Sequence, residues 1–399
     1  MKFAYFAYPH RGGTFTVFRH LRAGLGDHRI DVRWLGVGAL AHAAFQDPAW
    51  RAERACGTVC GHPGEDERSE ALSLRAAIEA GGFDGVFVNV HADPIQTNLA
   101  RYLPRSLLRI LIVHNVTPGT YAAATAVRDH VHGVVCVSRR IEEDLVLRHG
   151  FDPASICTIA NATDFPAAVP RDRPPKEDAL RLLSLGRIED QAKGILWLPD
   201  ILKRLPAEFR LTVAGDGPDL ARLRQRSTEL GSRIRLVGAV SPAGVASLLV
   251  EHDVLLAPSR FEGFMITAVE AMAAGCVPVV SRIRGVTDTV IDDGETGLLF
   301  PVGSLDTAAG AIRRLDADRA FWLRLSRNGQ ERVRRQFGID RLGADYARLV
   351  DRLGRAPPPI AAPLDLAGWS LPRGLRPGLR TYLPTPVKNF IRMMRERAA

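Results

Sequence analysis

Two glutamates stand eight positions apart in Ser259–Gly275, "SRFEGFMITAVEAMAAG". Glu262 precedes an apolar run, and Glu270 interrupts that run between Val269 and Ala271. An ionised carboxylate among apolar neighbours is costly unless something hydrogen-bonds to it, and a ligand can be that partner. If Phe264–Ala274 is a helix, Glu262 lies in the loop before it and Glu270 lies two turns in. The backbone of Gly263, Phe264, Met265 and Ile266 then offers free N–H groups and a partial positive charge to an anion. At helical rise the two carboxylates are roughly 12 Å apart along the axis, about the reach of a diphosphate with a sugar at each end. Each carboxylate accepts two hydrogen bonds from a vicinal diol. Glu262 would hold a hexose and Glu270 a ribose, with the diphosphate between them. The plainer reading makes Glu262 a helix-start acid and puts Glu270 in an intramolecular ion pair.

Anion-binding groups occur elsewhere. In "GRIEDQAKGI", Gly186 ends a strand, Arg187 follows, and Lys193-Gly194 opens the next helix. Two cations six residues apart at a strand end can converge on one diphosphate; they can equally be solvated surface charges. If both touch the diphosphate, alanine at either should lower turnover far more than stability. Gly12-Gly13 follows the first strand, where paired glycines admit a close ligand or form an ordinary turn. His114 and His91 end buried strands, where a histidine can bind sugar hydroxyls, handle a proton or simply fill a structural role. No HExxH, P-loop or GxSxG is present, and Asp316-Ala317-Asp318 reads as a helix cap rather than a metal site.

The elements that position these groups are short β-type runs alternating with helical patterns, the mark of parallel α/β architecture. The first half has "KFAYFAY", "DVRWLGV", "GVFVNV", "RILIVHN", "GVVCVS" and "SICTIAN"; the second has "RLLSLG", "RLTVAG", "RIRLVG", "DVLLAP" and "CVPVV". Helical stretches include "TVFRHLRAGL", "SEALSLRAAIEA" and "RRIEEDLVLRHG". Open parallel sheets bind ligands beyond the carboxyl ends of their strands, which is where the candidates above fall. Proline-rich segments divide the chain into a first domain at 1–165, a linker at 166–180, a second domain at 181–354 and a tail at 355–399.

With 399 residues and 46% hydrophobic composition the chain can bury two cores. No apolar run approaches the roughly 18 residues of a membrane span, and the N-terminus lacks a secretory pattern, so the expected location is cytoplasmic. Five cysteines without a CxxC pair read as reduced thiols. The net charge of +9 suggests an anionic partner, but seven Lys/Arg against one Glu in 371–399 account for six of those charges. Arginines without interleaved aromatics argue against nucleic acid.

"GRIEDQAKGI", "LTVAGDGPDL", "IRLVGAVS" and "APSRFEGFMITAVEAMAAGCVPVVSRIRGVTDTVIDDGETGLLF", in this order, resemble the retaining GT-B glycosyltransferases of family 4, the glycosyl transferases of group 1. The resemblance is strong from about 180 to 305, and weaker but ordered through "RGG", "VHN", "VCVS" and "IAN". It implies two Rossmann-like domains facing a cleft, with donor on the second, acceptor on the first, and neither metal nor cofactor beyond a UDP- or GDP-sugar donor. Arg187 and Lys193 would neutralise the diphosphate, Glu262 would contact the donor sugar and Glu270 the ribose. Gly13 would pack by the phosphates and His114 by the sugar. Met265, Ala162 and Asp288 depart from the family's usual glycine, glycine and glutamate. Bulk at Met265 would bear on donor choice.

The resemblance leaves the sugar, the base and the acceptor open, whether carbohydrate, lipid-linked or small molecule. Another GT-B activity such as a sugar-nucleotide epimerase, and an inert nucleotide-sugar-binding subunit, are the alternatives. In the tail, "TPVKNFIRMMRERAA" places Val387, Phe390, Ile391 and Met394 on one helical stripe beside Lys388, Arg392 and Arg395. Such a helix either packs back on the body, the preferred expectation, or lies on an anionic membrane as a peripheral contact at the inner face of the cell membrane.

Overall fold

The computed structural model describes residues 1–90, 93–164, 179–376 and 384–398. His91 and residues 166–178 of the expected linker fall outside these. The chain forms two compact units, Met1–Ala162 with Ile339–Tyr382, and Thr163–Gly338 with Leu383–Ala399.

The first unit holds seven strands: β1 (Lys2–Phe6), β2 (Asp31–Gly36), β3 (Gly57–Val59), β4 (Gly85–Asn89), β5 (Leu108–Val113), β6 (Gly133–Cys136) and β7 (Ile156–Thr158). Their order is β3-β2-β1-β4-β5-β6-β7 and every pair is parallel. Strands β4, β5 and β6 are buried at every position, as expected when helices cover both faces of a parallel sheet. The six strands expected here all form. β3 is an addition, a three-residue edge strand too short to leave a periodic signal.

The helix Ile339–Arg355 departs from the expected second domain, whose limit was 354: it belongs to the first unit and packs on the helix Gly13–Gly26. Leu342, Tyr346, Leu349, Val350 and Leu353 form its buried face. Two glycines decide the partner. A Cβ at Gly343 would lie 2.2 Å from the carbonyl oxygen of Gly24, and one at Gly24 would lie 2.7 Å from that of Ile339. Only hydrogen at both positions lets the two backbones approach this closely.

The second unit holds β8 (Leu182–Leu185), β9 (Leu211–Ala214), β10 (Ile234–Gly238), β11 (Val254–Ala257), β12 (Val277–Arg282) and β13 (Leu298–Pro301). The order is β10-β9-β8-β11-β12-β13, again parallel throughout. All five expected strands form, and β13 is the addition. Sequence order reverses direction between β8 and β11, which pair through Leu182 with Val254 and Leu183 with Leu255. Loops leaving two such neighbours go to opposite faces of the sheet and open a crevice between them. Arg187 and Lys193 follow β8, and Glu262 follows β11.

Asp318 caps the helix Arg319–Gln336 by accepting from the Phe321 amide, so the DxD motif is a helix start as expected. Asp316 accepts from the Leu180 amide and pairs with Arg319. All five cysteines are free thiols, with Cys60, Cys136 and Cys276 buried.

Candidate functional site

The two loops at the switch point are tied together backbone to backbone. The Arg260 amide donates to the carbonyl of Ala192 at 2.7 Å, and its guanidinium donates to the carbonyl and the carboxylate of Asp190, each at 3.0 Å. The same guanidinium lies 3.6 Å from the ring centre of Trp197. Gly194 is in the left-handed region at φ 59°, and a Cβ there would lie 2.2 Å from the carbonyl oxygen of Pro258. Glycine is therefore required for the contact as well as for the backbone conformation. As the sequence suggests, Lys193-Gly194 stands at a helix start: Gly194 is the N-cap of the 3-10 turn Ile195–Trp197, which leads into the helix Leu198–Lys203. Lys193 ends the single turn Asp190–Lys193, and Gly194 terminates it.

This clamp brings two candidates into contact. The Lys193 ammonium donates to both oxygens of Glu262, at 2.7 and 2.9 Å, and the Ser259 hydroxyl donates to Oε1 at 2.7 Å. Glu262 is 7% exposed, and burial with three charge-assisted hydrogen bonds from two donors holds it in one orientation. Arg187 is placed differently. Its side chain is 67% exposed and only loosely paired with Glu189, at 3.7 Å. It leaves Gly186, whose φ of 140° suits glycine. A Cβ at Gly215 would lie 1.8 Å from the Gly186 carbonyl oxygen, so the loop after β9 buttresses this exit.

The helix after β11 runs from Ile266 to Ala273, shorter than the expected Phe264–Ala274, and Gly263 and Phe264 remain in the loop. Met265 sits at its N-cap, buried and supplying no side-chain hydrogen bond, and no acid occupies the first turn. The first amides of this helix thus lack a capping side-chain acceptor among the described residues. Glu270, in the second turn, is partly buried, and its carboxylate has no hydrogen bond or ion pair among the described residues, although its backbone carbonyl accepts from the Ala274 amide. Burial, and secondarily the charge of Asp164, pushes its carboxyl up to about 7. The ion pair allowed for on sequence grounds is not formed among the described residues. One strand along, beyond β12, the Oδ1 of Asp288 is buried with no hydrogen-bond partner among the described residues.

The remaining candidates lie in the first unit. Gly12 is the N-cap and Gly13 the first residue of the helix after β1, again without a side-chain cap. A Cβ at Gly12 would lie 2.9 Å from the His10 ring. His114 follows β5 and is buried. Ser259, Arg260, Asp190 and Gly215 were not singled out from sequence. All lie inside the motifs quoted above, and only their distances reveal what they do. Among the described residues no group of three or more His, Cys, Asp or Glu side chains could hold a metal ion.

Two open parallel sheets, one to a unit, with this site at the switch point of the second, define the GT-B class. A sucrose-phosphate synthase from Thermosynechococcus elongatus matches with a TM-score of 0.73 at 21% identity, covering 89% of this chain and 99% of that one. Anabaena HepE, solved with UDP and glucose, matches with a TM-score of 0.71 at 16% identity, covering 88% and 100%. At the sequence level, residues 179–318 match the model of the family described as glycosyl transferases group 1. Over 164 residues the chain is 33% identical to a phosphatidylinositol N-acetylglucosaminyltransferase subunit of Arabidopsis thaliana. Over 167 residues it is 35% identical to phosphatidyl-myo-inositol mannosyltransferase of Mycobacterium tuberculosis. These matches span 40% and 41% of this chain, and 36% and 43% of the relatives' own lengths.

Proposed function

We propose that this chain is a glycosyltransferase that moves a sugar from a nucleoside-diphosphate sugar to an acceptor hydroxyl with retention of anomeric configuration and without a metal ion. The observation that carries the proposal is Glu270, a partly buried carboxylate in an apolar helix with no side-chain partner among the described residues. A nucleoside ribose supplies the two hydroxyl donors it lacks. Between Glu270 and Glu262 lie the uncapped amides at Ile266, the place for a diphosphate. Lys193, held beside Glu262, and the exposed Arg187 supply the positive charge.

In this reading the bond from C1 of the sugar to the diphosphate oxygen breaks with its electron pair going to the diphosphate. The acceptor oxygen bonds to C1 on the same face, and its proton passes to the departing diphosphate. Arg187, Lys193 and the helix amides stabilise charge that develops only in the transition state. Glu262 orients the sugar. Relatives named for transfer to phosphatidylinositol and phosphatidyl-myo-inositol support a lipid-borne polyol as acceptor, assigned to the first unit. The presence of UDP and glucose in the HepE structure supports a uridine donor.

An inert binding protein is the second reading, favoured by the bulky Met265 beside the helix start. A thermal-shift panel of UDP-, GDP- and ADP-sugars, followed by donor hydrolysis, tests both. A donor present at a hundred times its dissociation constant stabilises the protein by about 2.7 kcal/mol. Slow hydrolysis of that donor, abolished in Glu262→Ala, is expected of the transferase. A shift without hydrolysis or transfer supports the inert reading, and no shift with any nucleotide sugar contradicts both.

A further inference from the structure

The helix Thr385–Ala398 turns its apolar stripe outward. Val387, Phe390, Ile391 and Met394 are 42–61% exposed, whereas Asn389, Met393 and Glu396 on the opposite face are half-buried. Asn389 lines a hollow of the second unit with Asp190, Asp219 and Arg222. The expectation that the stripe packs against the body is therefore corrected: the half-buried Asn389 faces the hollow, and the stripe lies on the exposed side. Ten large hydrophobic side chains are exposed among the described residues. Four of them fall within these eight positions, and the other six, such as Leu40 and Leu147, are scattered along the chain. Single exposed apolar residues are ordinary; a contiguous row marks an interaction surface.

The charge pattern identifies the partner. Positions 388, 392 and 395, occupied by Lys, Arg and Arg, run along one flank of the stripe, and Arg397 lies toward the other. The helix holds four cations against the single acid Glu396. A second copy of the helix laid on the stripe would bring like charges together, whereas an anionic lipid surface offers acyl chains to the stripe and headgroups to both flanks. We propose that the helix Thr385–Ala398 is a membrane-surface anchor that docks its Val387–Met394 stripe on anionic lipid, with the basic flanks setting the preference for anionic headgroups.

The test is sedimentation of the full-length protein with vesicles of phosphatidylcholine alone, or of phosphatidylcholine and phosphatidylglycerol in equal parts. Binding to the anionic vesicles only is expected, weakening as salt is raised. The double substitution Phe390→Ser with Ile391→Ser removes two exposed side chains, so the melting temperature should hold while vesicle affinity falls on the order of tenfold or more. Absence of binding to anionic vesicles at low salt would overturn the proposal. So would equal binding by the double variant, or a dimer in size-exclusion chromatography that the double variant abolishes.

Discussion

Alanine at Lys193 should lower kcat/KM by on the order of 10² to 10³ and also lower the melting temperature, whereas alanine at Arg187 should cost activity alone. The difference follows from what each cation leaves behind. Lys193 donates to both oxygens of a carboxylate that is 7% exposed, and without it Glu262 keeps, among the described residues, the Ser259 hydroxyl alone. Breaking a fully buried pair costs several kcal/mol because the surviving charge stays desolvated. The lysine side chain is 33% exposed, so solvent screening reduces the expected loss to about 1–3 kcal/mol. Arg187 is two-thirds exposed beside Glu189, and pairs of that kind contribute under about 1 kcal/mol. Both cations are assigned to the departing diphosphate, and removal of one preorganised electrostatic group from such a site typically lowers rate by the factor given above. Steady-state kinetics and thermal melts of the two variants decide the matter. Lys193→Ala with wild-type stability would show that the ion pair does not hold Glu262, and Arg187→Ala with wild-type turnover would remove Arg187 from the site. The sequence expectation treated the two cations alike; the structure separates them.

Glu270→Gln should stabilise the ligand-free protein at neutral pH and flatten its stability profile below it. Burial raises the carboxyl from 4.5 to about 7, so in the folded state it keeps its proton where the unfolded chain has lost it. Stability from this group is fully present below pH 4.5, falls as pH rises, and is lost once pH passes about 7. A shift of that size corresponds to about 3 kcal/mol by linkage, an upper bound for a residue that is only partly buried. Glutamine cannot ionise and escapes that cost. Denaturant melts of both proteins from pH 4 to 8, without ligand, should diverge as pH rises. Parallel curves would mean that Glu270 ionises freely in the fold, removing the argument that it waits for a partner.

Much of the fold is legible in the chain because both sheets are parallel with largely buried central strands, so strands stand out as apolar runs between helical patterns. Eleven runs mark eleven strands. The two missed, β3 and β13, are an edge strand of three residues and a run embedded in "ETGLLFP". What a linear pattern lacks is adjacency. The apolar face of Ile339–Arg355 announces a buried helix, but its place on the first unit rests on the meeting of Gly343 and Gly24. Glu262 and Lys193 are each visible as candidates by their positions after strands. Their contact depends on β11 lying beside β8 and on Arg260 bridging the loops to Asp190. Glu270 was anomalous from composition alone, since an acid between valine and alanine in an apolar run needs a partner. Only the structure shows that the described residues supply none. The outward turn of the C-terminal stripe was equally out of reach, because an amphipathic pattern identifies a face without saying what covers it.

The central claim, that a nucleoside diphosphate lies along the helix Ile266–Ala273 with its ribose on Glu270, is tested most directly by calorimetric titration of wild type and Glu270→Ala with the nucleoside diphosphate of the donor selected by the thermal panel. Two hydrogen bonds to a charged carboxylate contribute roughly 1.5–3 kcal/mol each, so affinity should fall at least about tenfold, and nearer a hundredfold if both are made, with the variant fully folded at the pH of the titration. Equal dissociation constants for the two proteins would contradict the account.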